Sequence, residues 1–140
     1  MTRDENPNLQ LLNALAEING KIKDRAIELR RLFPRALWVQ HSLEPVSNLS
    51  GPGIEGYLDI LFEGQIGVCW SLEASWDREF WKIEANLYRQ SPAGQETVIS
   101  IPEETHSEFQ GSMRALKRIA DNLLALEIDR AGTGPWTTQT

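Results

Sequence analysis

Residues 66–90 read IGVCWSLEASWDREFWKIEANLYRQ, and this stretch decides the fold. Every second residue from Ile66 to Trp76 is apolar, and the alternation resumes over Trp81 to Leu87 after a charged Asp-Arg-Glu turn. Successive side chains of a strand point to opposite faces, so two alternating runs around a turn predict an antiparallel hairpin with one buried face. The tryptophans of this stretch share the apolar parity and are predicted to be core residues: Trp70, Trp76 and Trp81.

Further strands are predicted on both sides of this hairpin. Residues 37–43 and 57–62 come before it and residues 95–101 after it, and Glu63-Gly64-Gln65 has the composition of a three-residue hairpin loop. Residues 44–56 are rich in proline, glycine, serine and asparagine, which predicts a long loop. Loops of this length often carry function. The segment lacks the Gly-Lys-Ser/Thr ending of a phosphate-binding loop.

A helix is predicted at each end of the strand cluster. Apolar residues recur every three or four positions from Leu11 to Phe33, with Pro7 at the first turn and Pro34 as the stop. A second stripe runs over residues 109–126, and Thr105 and Glu108 have capping-box spacing. This order predicts an α+β fold: a single antiparallel, meander-like sheet of about five strands with both helices on one face. Residues 1–130 are assigned to one domain and residues 131–140, which include Trp136, to a flexible tail.

Bulk properties exclude several classes of protein. The chain has 140 residues, 41% hydrophobic and 24% charged, which suits one globular domain. Its formal net charge is −6, whereas nucleic-acid binders need a basic footprint. There is no apolar run of about 20 residues and no signal-peptide pattern at the start, so no membrane partner is expected. The single cysteine, Cys69, favours a reducing cytoplasmic location.

The charge is unevenly distributed along the chain. Residues 21–35 hold six basic and two acidic side chains, a net charge of +4, and residues 36–113 hold three basic and twelve acidic ones, a net charge of −9. The basic cluster lies near the C-terminal end of the first predicted helix, where cations suit the helix dipole. The acidic middle of the chain indicates that any charged partner is basic.

The sequence predicts no catalytic residues, no metal ligands and no cofactor. His41 and His106 lie far apart without zinc-ligand spacing, and Cys69 is more typical of a small packed residue on a strand than of a nucleophile. One arrangement would favour acid–base chemistry or cation binding: pairing Trp76 with Trp81 sets Glu73 opposite Glu84. A register shifted by two residues pairs Glu73 with Lys82 instead, and we favour it because it avoids facing like charges.

If both helices cover the tryptophan face, the opposite face is open to solvent. Its carboxylates and aromatic side chains are suited to docking a basic protein, together with the 44–56 loop. The predicted partner-binding residues on that face are Tyr57, Asp59, Glu73, Phe80, Glu84 and Tyr88. The alternative is a small-molecule binder or enzyme with a pocket between the helices and the tryptophan-rich sheet. A third possibility is a homodimer formed through the sheet or an edge strand.

In size, acidity and helix–sheet–helix order, the chain resembles two groups of small bacterial cytoplasmic proteins. One comprises immunity proteins that neutralise basic toxin nucleases, and the other comprises acidic chaperones of secretion systems. The second resemblance is weaker, because no helix is predicted between the middle strands. Both rest on architecture alone, and neither supplies residues to carry over.

Overall fold

In a computed structural model of the chain, the structure describes residues 7–48, 51–77 and 79–126. Five strands form one antiparallel sheet in sequence order, between two helices. The predicted α+β meander with a helix at each end is therefore confirmed. In chain order the elements are α1 Pro7–Leu32, β1 Trp38–Asn48, β2 Gly51–Phe62, β3 Ile66–Asp77, β4 Phe80–Ser91, β5 Gly94–His106 and α2 Phe109–Leu124.

Both helices pack on the tryptophan-bearing face of the sheet. α1 contacts β1 and β2, whereas α2 contacts β3, β4 and β5, and the two helices also contact each other. Trp70 is buried to 1% exposure in the middle of this core, and Trp81 is also buried. Trp76 is half-buried and packs against Trp81, with ring centroids 5.6 Å apart. The prediction of core tryptophans is therefore confirmed for Trp70 and Trp81, whereas Trp76 packs against the core and stays partly exposed.

The prediction of a loop over residues 44–56 is wrong. β1 continues to Asn48 and β2 begins at Gly51, so most of the segment is paired strand. The residues that suggested a loop have other roles: β1 is an end strand, where a proline such as Pro45 is tolerated. Gly53 and Gly56 mark close approaches, because a Cβ atom would lie 2.9 Å from the Ala74 carbonyl oxygen at Gly53 and 2.7 Å from a Leu43 methyl group at Gly56.

The favoured register of the β3–β4 hairpin is also wrong. Trp76 pairs with Trp81, and Glu73 faces Glu84 rather than Lys82. This register keeps both indoles together on the core side, and burial of large aromatic surfaces outweighs the small repulsion between two exposed carboxylates. The Glu63-Gly64-Gln65 loop is confirmed, since Gly64 has φ +85°, a conformation that glycine adopts without strain.

The capping-box prediction for α2 fails because β5 is longer than expected. β5 runs on to His106, so Thr105 is a strand residue paired with Lys82. The N-cap of α2 is Glu108, whose side chain makes no capping hydrogen bond. α2 is tied to β5 further along the helix, where Arg118 donates two hydrogen bonds to the Glu104 carboxylate, at 2.7 and 2.8 Å.

No helix in the described parts of the chain is long and apolar enough to cross a membrane. The predicted tail, residues 131–140 with Trp136, lies outside the described residues, as does Arg78 of the predicted Asp-Arg-Glu turn.

Candidate functional site

The face of the sheet opposite the helices is left uncovered by the described residues. Because the strands are antiparallel and in register, its side chains form rows that run across the sheet. One row is Ser42, Tyr57, Ser71, Asn86 and Ser100, and the next is Gln40, Asp59, Cys69, Tyr88 and Thr97. We call this surface the open face.

A third row of the open face consists of glutamates, and we call it the acidic row. Its members are directly opposite one another across β1–β2, β2–β3 and β3–β4, and the β4–β5 irregularity places a fifth glutamate beside the fourth. At about 4.8 Å per strand, the row spans roughly 19 Å. In order across the sheet, the acidic row is Glu44, Glu55, Glu73, Glu84 and Glu103.

Such a row works against the stability of the sheet. Like charges at facing positions of neighbouring strands are destabilising, each pair by roughly 1 kcal/mol before salt screening. Lys82 offsets the repulsion at one end, where its Nζ lies 3.5 Å from Glu84 Oε1 and 3.8 Å from Glu103 Oε1. Glu44, Glu55 and Glu73 are exposed and have no ion pair among the described residues.

Aromatic side chains surround the acidic row. Tyr57 lies in the adjacent row and is 39% exposed, and Tyr88 lies one row further away and is half-buried. Phe80 occupies the end of the open face beside the β3–β4 turn. The six predicted partner-binding residues therefore share one face, although only Glu73 and Glu84 belong to the acidic row.

Asp59 and Cys69 form a facing pair within the open face. Burial raises the pKa of the Asp59 carboxyl group, and a backbone hydrogen bond with Gln40 partly opposes this. Burial, together with the charge of Asp59, raises the pKa of the Cys69 thiol to about 12. A thiol with that pKa is not a nucleophile near neutral pH, so Cys69 is a packed residue here.

The sequence interpretation missed Glu44, Glu55 and Glu103. The first two were assigned to the supposed loop, and the third lies beyond the predicted end of β5. A usable signal was present: Gln40, Ser42 and Glu44 alternate with Val39, His41 and Leu43, as expected for a strand with one polar face. The strand continues beyond Glu44, but the prolines and glycines of residues 44–56 indicate a loop and so work against the prediction of a strand there.

Between the helices and the tryptophan-rich sheet, where the alternative hypothesis expects a pocket, the described residues enclose a small cavity. The cavity beside Trp70 and Leu72 has a volume of about 10 Å³, room for a single water molecule. A larger cavity, of about 360 Å³, lies between the N-terminal parts of α1 and α2, and residues such as Asn13, Met113 and Arg114 line it. All its lining residues are helical, so no residue of the sheet contributes to it.

The histidines do not form a shared site. His41 is half-buried on the helix-covered side of β1, and His106 Nε2 lies 3.0 Å from Glu104 Oε1 at the β5–α2 contact. Among residues 7–48, 51–77 and 79–126, no group of three or more histidine, cysteine or acidic side chains is arranged to hold a metal ion.

Comparison with known proteins gives no likeness to report: no family model, no curated protein and no solved structure matches the chain. The open face must therefore be interpreted from its own chemistry.

Proposed function

We propose that this protein is a small acidic binding protein that engages a basic protein partner through the open face. The observation that carries the proposal is the acidic row, in which like charges face each other on successive strand pairs. This arrangement lowers the stability of the free sheet. Natural proteins depart from local structural rules chiefly at functional positions, which supports a role in recognition.

A cationic partner removes the repulsion that the free protein carries. Basic side chains placed over the row neutralise several carboxylates at once, so binding gains from attraction and from relief of repulsion within the row. A surface of one sign also steers an oppositely charged partner and accelerates its association. Tyr57 and Tyr88 supply the amphipathic contact area that is enriched in interface cores.

The corrected β1–β2 hairpin strengthens this proposal. The two regions predicted to bind the partner, the open face and the 44–56 segment, are one surface, because the segment is strand and contributes Glu44 and Glu55 to the row. We place the protein's action in the cytoplasm, in keeping with its single cysteine. Its mode of action would then resemble that of immunity proteins or secretion chaperones, which mask a partner without acting on it chemically.

The test compares three baits in pulldowns from the host's own lysate. The first is the wild type, and the second carries Glu55→Gln and Glu73→Gln in the centre of the acidic row. The third is a matched control with Asp24→Asn on exposed α1 and Glu63→Gln in the β2–β3 turn, which changes the net charge by the same amount. The proposal predicts a basic protein that the wild type and the control retain and that the row variant loses.

The purified pair then gives the rate of association as a function of salt concentration. We expect the row variant to associate several-fold more slowly at low salt, with a flatter salt dependence, because steering scales with the charge on the face. Equal capture by the row variant and the control would show that the acidic row does not recognise the partner. Thermal unfolding of all three proteins tests whether a variant loses the partner merely because it is unfolded. Neither pair of substitutions is expected to destabilise the protein by more than about 0.5 kcal/mol.

A further inference from the structure

β1 is an end strand whose outer side is free of other strands among the described residues. It is 11 residues long, and long free edges usually carry protection against strand addition. The two edges differ in regularity: β5 pairs with β4 irregularly in two places, whereas the pairing of β1 with β2 is uninterrupted. The β1 edge lies beside exposed apolar side chains, with Leu37 57% and Trp38 45% exposed.

The hydrogen-bonding direction of β1 follows from one contact, and the position of Pro45 agrees with it. Arg30 Nη2 donates to the Val39 carbonyl at 2.8 Å, so this carbonyl faces outward toward a side chain rather than toward β2. In an antiparallel ladder, alternate residues direct their backbone groups to the same side. His41, Leu43 and Pro45 therefore also direct theirs outward. Pro45 has no N–H, and this position is where its absence breaks no bond with β2.

We propose that two copies of the chain pair through β1, antiparallel, with Ser42 facing Ser42 of the second copy on a two-fold axis. In this register His41 faces Leu43 of the second copy, and each such pair exchanges two backbone hydrogen bonds. Val39 faces Pro45, which accepts a bond but donates none. The carbonyl that Pro45 leaves without a donor is that of Val39, and Arg30 already donates to it.

The side chains favour the same register. On the open face, Trp38 faces Val46 of the second copy, and Gln40 faces Glu44, so no two carboxylates meet at the junction. A shift of two residues in one direction would set Trp38 against Glu44. A shift in the other direction would set Pro45 opposite His41, whose outward carbonyl would then lack a donor. The β1 edge is thus self-complementary in one register, as a two-fold interface requires.

A proline substitution tests the hydrogen bonds on the outer side of β1 without disturbing those between β1 and β2. His41→Pro removes an outward N–H and leaves the β1–β2 bonds in place, because a proline on an edge strand is tolerated where its nitrogen faces away from the sheet. The matched control is His41→Ala, which removes the same side chain but keeps the N–H. Light scattering coupled to size-exclusion chromatography should give a dimer for the wild type and for His41→Ala, and a monomer for His41→Pro. Circular dichroism verifies that both variants are folded.

Disulfide trapping tests the register. Facing residues that do not exchange backbone bonds have Cα atoms about 4.5 Å apart, which is within the range of a disulfide. In a Cys69→Ser background, Ser42→Cys should form a covalent dimer under mild oxidation. Gln40→Cys is the control, because two residues at this position lie on opposite sides of the axis, roughly 13 Å apart along the strand.

A wild type that stays monomeric up to high micromolar concentration would overturn the proposal. So would a dimer that persists in His41→Pro, since it would be assembled through another surface, and so would trapping at Gln40→Cys but not at Ser42→Cys. If the monomer instead binds a basic protein and His41→Pro abolishes that binding, the edge serves the partner and the self-pairing is refuted. These readouts do not depend on Glu55 or Glu73, so they are independent of the proposed function.

Discussion

Replacement of Trp70 is expected to be among the most destabilising single changes in this protein. The side chain is 1% exposed, and its Nε1 donates a hydrogen bond to the Leu126 carbonyl at 3.0 Å, just beyond the end of α2. The Arg25 guanidinium carbon lies 6.0 Å from the centre of the indole. Trp70 therefore joins the sheet to both helices.

Two substitutions separate the contributions of Trp70. Trp70→Ala removes the ring and leaves a cavity, which should lower the free energy of unfolding by about 3–5 kcal/mol. Trp70→Phe keeps an aromatic ring but removes the donor to Leu126, and we expect a loss of about 1–3 kcal/mol. Leu12→Ala is the control, because Leu12 is 63% exposed and its truncation should cost no more than about 0.5 kcal/mol.

Urea unfolding followed by far-ultraviolet circular dichroism measures these differences without depending on the fluorescence of the residue replaced. A lower midpoint with an unchanged slope indicates a change in stability rather than in the denatured state. A loss below about 1 kcal/mol for Trp70→Ala would refute the placement of the indole in the core. A Trp70→Phe variant as stable as the wild type would refute the contribution of the Nε1 hydrogen bond.

Three further predictions follow from local geometry. Gly20→Ala in the middle of α1 should raise the free energy of unfolding by about 0.5–1 kcal/mol, because the added Cβ meets nothing within 4 Å. Gly67→Ala should lower the free energy of unfolding by at least about 1 kcal/mol, because its Cβ would lie 2.5 Å from a backbone oxygen of β2. Urea unfolding measures both changes, and changes of the same sign would contradict this reasoning. Hydrogen bonds from Arg118 and His106 lower the pKa of the Glu104 carboxyl group from 4.5 to about 2, so the stability that this group contributes is present above pH 4.5 and is lost as the pH falls towards 2. Arg118→Ala should weaken the pH dependence of the free energy of unfolding in that window. An unchanged pH dependence in this variant would show that the Arg118–Glu104 contact contributes nothing to stability. Alkylation of Cys69 by iodoacetamide at pH 8 should be at least about a hundredfold slower in the folded protein than in urea, because raising the thiol pKa from 9.0 to about 12 lowers the thiolate fraction about a thousandfold and the greater nucleophilicity of the thiolate offsets only part of this. Equal rates would contradict the raised pKa.

The sequence was most informative where alternation was uninterrupted. The β3–β4 hairpin, its buried tryptophans and the two amphipathic helices follow from periodicity alone, because burial of one face imposes a repeat of two on strands and of 3.6 on helices. The same reasoning identified Tyr57, Asp59, Glu73 and Glu84 as residues of a single face. These features depend on local pattern, which a sequence displays directly.

The remaining features depend on which strands become neighbours. Pro45 indicated a loop because proline is excluded from central strands, and only the sheet order shows that β1 is an edge. The glycines at positions 53 and 56 indicated turns, whereas neighbouring strands and side chains require them. The hairpin register differs from the predicted one because the packing of Trp76 against Trp81 decides it, and the facing Glu73 and Glu84 do not. Pairwise charge rules are weaker than aromatic burial.

The order of the strands also has a consequence for the course of folding. Every strand pairs with its neighbour in sequence, across connections of two or three residues, so each hairpin closes at little entropic cost. The contact between α1 and α2 is different, because it joins Lys21 to Asp121, a hundred positions apart. We expect the sheet to assemble hairpin by hairpin and the helices to meet last. Substitutions between the helices should then accelerate unfolding while leaving the rate of folding almost unchanged.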